Sequence, residues 1–160
     1  MSRMLLSQEG HIIPILPPQD YDTGVSSDIF SMKDCSHVTI IVTFGTTNSD
    51  AGNITVNESD DLSGSNTDAI GFKYAAETTD SGDSLGALTT VAYADADSGI
   101  DVSANDNTTY VIELDAEDLS EGYNNVFISI SDPGGSGYAS AIAILTGLRY
   151  AGDQNRTQIA

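Results

Sequence analysis

The chain has 160 residues, 39% of them hydrophobic, which suits one domain with a real core, or one domain carrying a short arm. Its 24 Asp and Glu against 5 Lys and Arg leave a formal charge of −19. That excludes a nucleic-acid binder of the usual kind, because phosphate neutralisation needs clustered cations, and it argues against an anionic membrane surface as partner. No stretch approaches the roughly 20 apolar residues of a transmembrane helix, and the run Met4, Leu5, Leu6 is too short for a signal-peptide core. With two His, one Cys and no Trp, reactive side chains are scarce and no enzyme is expected.

In chain order, residues 1–22 carry Pro14, Pro17 and Pro18 (HIIPILPPQDYD). Proline opposes regular sheet pairing, so this segment is predicted as an extended arm. Its Ile and Leu side chains would have to lie on its own domain or on a neighbour. Residues 23–152 are predicted to form the domain, with 153–160 a C-terminal tail. Within the domain the dominant signal is period-two alternation bounded by turn residues. Over His37–Phe44 the even positions Val38, Ile40, Val42 and Phe44 are apolar, and of the odd ones only Ile41 is. The same pattern predicts strands over Asn53–Glu58, Ala69–Ala75, Thr108–Asp115 and Asn124–Ser131. Weaker candidates are Ile12–Leu16, Val25–Met32, Leu88–Ala94 and Ile100–Ser103.

Ala139–Thr146 has no polar face: Ile142 and Ile144 lie on one side, Ala139, Ala141, Ala143 and Leu145 on the other. It is expected to be buried on both sides, by a central position or by a subunit contact, with the small alanines letting another sheet or a neighbouring chain approach closely. The connecting stretches, such as GTTNSDAG, ESDDLSGSNTD and SDPGGSG, are rich in the Gly, Asn, Asp and Ser that tolerate turn geometry. No helical periodicity spans ten residues, and only Asp115 heads a candidate capped turn (DAEDLSEG). The predicted fold is all-β, an antiparallel β-sandwich of the jelly-roll kind with an extended N-terminal arm.

The carboxylates are spread along the chain, which reads as a solvated acidic surface; divalent-cation binding is the alternative reading. For the latter the candidates are Asp95, Asp97 and Asp101 (DADSGID), then Asp60 and Asp61. An EF-hand counted from Asp95 fails, since Ile100 stands at its glycine position and Asp106 at its glutamate position. No metal or cofactor is expected. Cys35, with His37 and Asp34 nearby, is a nominal nucleophile–base–acid set without a family signature, and a half-buried structural thiol is the plainer reading. His11 and His37, 26 residues apart and without ligand-spaced partners, do not suggest zinc. Asn53, Asn57, Asn107 and Asn155 head Asn-x-Ser/Thr triplets of the kind that chance produces in such a composition. Pro133–Gly137 (PGGSG) lacks the lysine of a phosphate loop and reads as a hairpin connection. Alternation places Tyr74 and Tyr110 in the core.

Three segments, IFSMKDCSHVTIIVTFG, TTYVIELDAEDLSEGYNNVFISISD and ASAIAILTGLRYAG, in this order, resemble small virion proteins of tailed bacteriophages. The chain is similar in particular to jelly-roll capsid decoration (cement) proteins, over roughly residues 28–152. The resemblance implies a protein without enzymatic activity on the outer capsid surface, a homotrimer at threefold positions, with the major capsid protein as partner and no nucleic acid or membrane. It carries no catalytic, cofactor or metal residues. On this view the arm reaches over adjacent shell subunits, and truncating residues 1–20 should abolish particle binding while leaving the domain folded. The other class considered is a secreted carbohydrate-binding sandwich with a calcium loop at Asp95–Asp101.

Overall fold

The computed structural model describes residues 5–46, 52–78, 84–102, 106–149 and 157–159. Its strands, in chain order, are β1 (His11–Asp20), β2 (Val25–Ser26), β3 (Phe30–Ser31), β4 (His37–Phe44), β5 (Asn53–Ser59), β6 (Thr67–Ala69), β7 (Phe72–Thr78), β8 (Thr89–Val91), β9 (Ile100–Asp101), β10 (Thr108–Asp115), β11 (Asn125–Ile130) and β12 (Tyr138–Thr146). Sheet A has the order β1-β12-β4-β10-β7-β8. Sheet B has the order β2-β11-β5-β6, with β3 also pairing β11 and β9 also pairing β5. Every pairing is antiparallel. No helix among the described residues is long and apolar enough to cross a membrane.

The strand order is that of a jelly roll. With β2 and β3 counted as one broken strand, and β10, β11 and β12 closing the set, sheet A reads first–eighth–third–sixth and sheet B second–seventh–fourth–fifth. The segment holding β7, β8 and β9 is an insertion between the fifth and sixth strands. It widens sheet A beyond β10 by two strands.

Alternation places the core. Val38, Ile40, Val42 and Phe44 of β4 and Tyr110, Ile112 and Leu114 of β10 are buried against Ile54 and Val56 of β5 and Val126, Ile128 and Ile130 of β11. Phe44 stacks edge-on between Tyr21 and Tyr110, with ring centroids 5.6 and 5.9 Å away. Tyr74 is only partly buried and packs against this cluster.

The structure corrects the sequence reading in four places. Residues 11–20, expected to belong to an extended arm with only a weak strand candidate at Ile12–Leu16, are the first strand of the jelly roll and form the edge of sheet A beside β12. The prolines are accommodated because an edge strand leaves one row of N–H groups without a sheet partner. The register also breaks twice, between Pro14 and Leu16 and between Leu16 and Gln19. Ile13, Ile15 and Leu16 are thereby buried, while Pro14, Pro17 and Pro18 face outward.

Second, the single strand expected over Ala69–Ala75 is two: β6 ends in sheet B and β7 begins in sheet A, joined by Ile70 and Gly71. A Cβ at Gly71 would stand 2.9 Å from the Val91 carbonyl oxygen, so the sharp crossing passes directly against the backbone of β8. Third, PGGSG is not a hairpin connection but a crossover from β11 in sheet B to β12 in sheet A. Fourth, β12 is central in sheet A, yet only its alanine side is buried; Ile142 remains 38% exposed.

Candidate functional site: the outer face of sheet A

The strand registers line up the outward side chains of sheet A in rows. One row runs Pro14, Ile142, Ile41, Val111, Ala75 across β1, β12, β4, β10 and β7, and every member is apolar. The adjacent row runs Ile12, Ile144, Thr39, Glu113, Lys73. Ile12 is 45% exposed, and Ile41, Ile144 and Val111 are only half-buried. Over residues 12–14 of β1, 140–146 of β12 and 37–43 of β4 this face carries no carboxylate: the outward residues there are Ile12, Pro14, Ser140, Ile142, Ile144, Thr146, His37, Thr39, Ile41 and Thr43. At the other end of the sheet the exposed Asp20 of β1 stands beside the exposed Tyr138 of β12.

The outer face of sheet B is of another kind. Phe127 and the exposed Asp101 apart, it presents hydroxyls and amides, some of which bond one another: Ser26 Oγ lies 2.9 Å from Ser129 Oγ, and Asn57 Nδ2 donates to Thr55 Oγ1 at 3.2 Å. Such a surface is already suited to water. The aliphatic rows of sheet A are not, and contiguous exposed apolar surface of this sort marks contact sites.

Where the insertion widens sheet A, the face ends in a groove of about 500 Å³ lined by His37, Lys73, Leu88, Tyr93, Glu113 and Asp118 among others. His37 is its electrostatic centre. Its Nδ1 lies 2.7 Å from Asp115 Oδ1 and its Nε2 lies 2.7 Å from Glu113 Oε2, while Thr39 Oγ1 donates to the same Glu113 oxygen at 2.8 Å. Ionised carboxylates only accept, so this placement favours the ring with both nitrogens protonated, the imidazolium, in which each can donate. Partial burial works against that charge, but the hydrogen bonds that the ring donates to Asp115 and Glu113 outweigh it and hold the pKa above the ordinary histidine value. Asp115 also forms a capping box with Asp118 around the short 3-10 turn Ala116–Asp118, the one capped turn that the sequence predicts.

A group whose folded pKa is raised contributes stability that is complete below its unfolded value, about 6.5, and is lost as pH rises through the folded value. Because the ring and both carboxylates are about a third or more exposed, the effect should stay below about 1 kcal/mol. We expect the melting temperature of the wild-type chain to exceed that of His37→Gln at about pH 6. The gap should close as pH rises towards about 9. A gap that widens with alkaline pH would contradict this assignment.

The other sequence candidates are not brought together. Cys35 precedes β4 and is buried, with Sγ 3.5 Å from the Met32 carbonyl. Burial, and then the charge of Asp34, push its thiol up to about 11. His37 points instead to the outer face, so the Cys35–His37 pair is not assembled. Asp95 belongs to a 3-10 turn (Tyr93–Asp95) and Asp101 to β9, and among the described residues no three His, Cys, Asp or Glu side chains converge as a cation cage.

Asp61 serves the β5–β6 turn. Its Oδ1 accepts from Ser63 Oγ at 2.8 Å, Ser63 N at 2.9 Å and Ser65 N at 3.2 Å, and these bonds hold its carboxyl down at about 2. Asp60 binds the Asn66 side chain at 2.6 Å. Asn53 donates to the Ser98 carbonyl at 2.7 Å, and Asn155 lies outside the described residues. Sequence reasoning missed Glu113, Asp115 and the aliphatic rows as a unit. Only Ile142 and Ile144 stood out, because their partners come from strands distant in the chain.

No family model matches the chain, and no curated protein matches it. Among solved structures it is similar to the crystal structure of the SPBc2 prophage-derived protein YomS. The TM-score is 0.44 at 12% identity, covering 85% of this chain and 93% of that one.

Proposed function

We propose that this protein is a non-enzymatic virion structural protein of a tailed bacteriophage, bound as a decoration or cement subunit to the outer surface of the capsid. The observation that carries the reading is a jelly roll with a largely aliphatic face over β1, β12 and β4, suited to contact between subunits of an assembly, in a chain otherwise rich in acid. Such a domain can join a large particle as an oligomer with its acidic loops turned to solvent. The sequence resemblance points the same way. At −19 the chain is repelled by packaged DNA, which favours the outside of the shell over its lumen. The partners in this reading are the major capsid protein and two further copies of the chain. Many equivalent sites stabilise a particle even where each contact is modest.

The test is to raise antibody against the purified chain and examine purified particles of the virus that encodes it by immunogold microscopy. Labelling spread over the head, removable without loss of DNA content until the particle is stressed, is the expected result. Labelling confined to tails, or a chain found in infected cells but never on particles, would overturn the capsid reading.

A further inference from the structure

We infer that the outer face of sheet A is covered by a second copy of this chain, through the rows Pro14–Ile142–Ile41–Val111 and Ile12–Ile144. This deepens the oligomeric part of the reading above and rests on it for the choice of assembly. The physical argument for the occupant is charge. Two chains at −19 repel over most of their surfaces. The aliphatic part of this face, over residues 12–14 of β1, 140–146 of β12 and 37–43 of β4 and away from Asp20, is a surface on which they can meet without setting carboxylate against carboxylate. A strongly basic partner would be drawn instead to the acidic loops.

The border of the face suits a copy of itself as well. Lys73, one of the chain's five Lys and Arg residues, sits there beside Glu113, so cation and carboxylate are both present for a neighbouring copy to match. The face also accounts for the composition of β12. Its alanines are spent on the core between the two sheets, the nearer of the two neighbours that the sequence offered them, and Ile142 and Ile144 are the side chains left for a sister chain to cover.

The size of the patch sets the strength. Four strands at about 4.8 Å spacing make a row of about 14 Å, and the two rows cover well under the roughly 800 Å² per partner of a standard interface. The flanking Thr39, Thr43, Thr109 and Ser140 supply a polar rim. Self-association in dilute solution should therefore be concentration-dependent, and strengthened by salt that screens the like charges.

The experiment is sedimentation equilibrium of the purified full chain across a hundredfold concentration range, at low and high sodium chloride. The expected result is a mass that rises from one chain towards an integral multiple of 16.7 kDa, at lower concentration in high salt. Ile142→Asp should return it to one chain at every concentration while still melting cooperatively, and Ile142→Thr should weaken association at least tenfold while keeping a β-branched residue in the strand. Ser129→Asp, on the outer face of sheet B, should associate like the wild type. A wild-type chain that stays monomeric at the highest concentration in high salt, or association indifferent to both Ile142 substitutions, would overturn the inference. Failure here leaves head labelling unaffected, and absence from particles leaves the sedimentation result standing, so the two proposals fail separately.

Discussion

Deleting residues 1–20 is expected to unfold the domain rather than release a docking arm. The deletion removes β1, and with it Ile13, Ile15 and Leu16, all buried in the core. At about 2 kcal/mol for each buried aliphatic side chain the loss is about 6 kcal/mol, against a total stability of about 5–15 kcal/mol for a domain. It also uncovers the hydrogen-bonding edge of β12, a template for aggregation. The truncated chain should melt without a cooperative transition, or aggregate, when followed by circular dichroism and light scattering. Cooperative melting within a few degrees of the full chain would show that β1 is dispensable and restore the arm as an independent element. The sequence reading expected the truncated domain to stay folded; the paired β1 reverses that expectation, because prolines that oppose pairing inside a sheet are tolerated on its edge.

Gly99→Ala is expected to be the most damaging single methyl addition among the described glycines of the sandwich, and Gly122→Ala a mild one. Both glycines have positive φ, 59° and 93°, so each substitution carries the left-handed cost of about 1 kcal/mol. They differ in space. A Cβ at Gly99 would overlap the Ile54 carbonyl oxygen, which belongs to β5 and cannot move without disturbing its pairing with β9 and β11. At Gly122 nothing lies within 4 Å. Backbone displacement of this kind costs typically about 1–3 kcal/mol beyond the strain, so Gly99→Ala should lose about 3 kcal/mol and Gly122→Ala about 1 kcal/mol. At about 2–4 °C per kcal/mol for a chain of this size, thermal melting separates them clearly. Equal losses would mean that β5 yields at Ile54 and that conformation alone sets the cost.

These cases show where the sequence was informative. The strands His37–Phe44 and Thr108–Asp115 have the same limits in the pattern and in the structure, because each has one face on the core and one on the outside. That asymmetry writes itself into successive residues. The run Ala69–Ala75 was misread as one strand because its alternation continues across a change of sheet. Ile70 is buried at the crossing and Phe72 is buried after it, so the period survives although the partner sheet changes. At the candidate site, Ile142 and Ile144 were conspicuous for lacking a polar alternative. The salt-bridged His37 was not, since its partners Glu113 and Asp115 lie 76 and 78 residues away.

By itself the sequence determined the class of the fold, the identity of the core faces, the acidic and turn-rich character of the loops, and the absence of long helices. All of these follow from local alternation and local turn chemistry, which act between near neighbours in the chain. Only the tertiary structure decided that β1 is the first strand of the jelly roll, that β7 and β8 widen sheet A, and that Pro14, Ile142, Ile41 and Val111 stand side by side as one surface. Those outcomes depend on which strands pair and in which register. Pairing is selected by burial of the whole core at once, and no short segment carries that information.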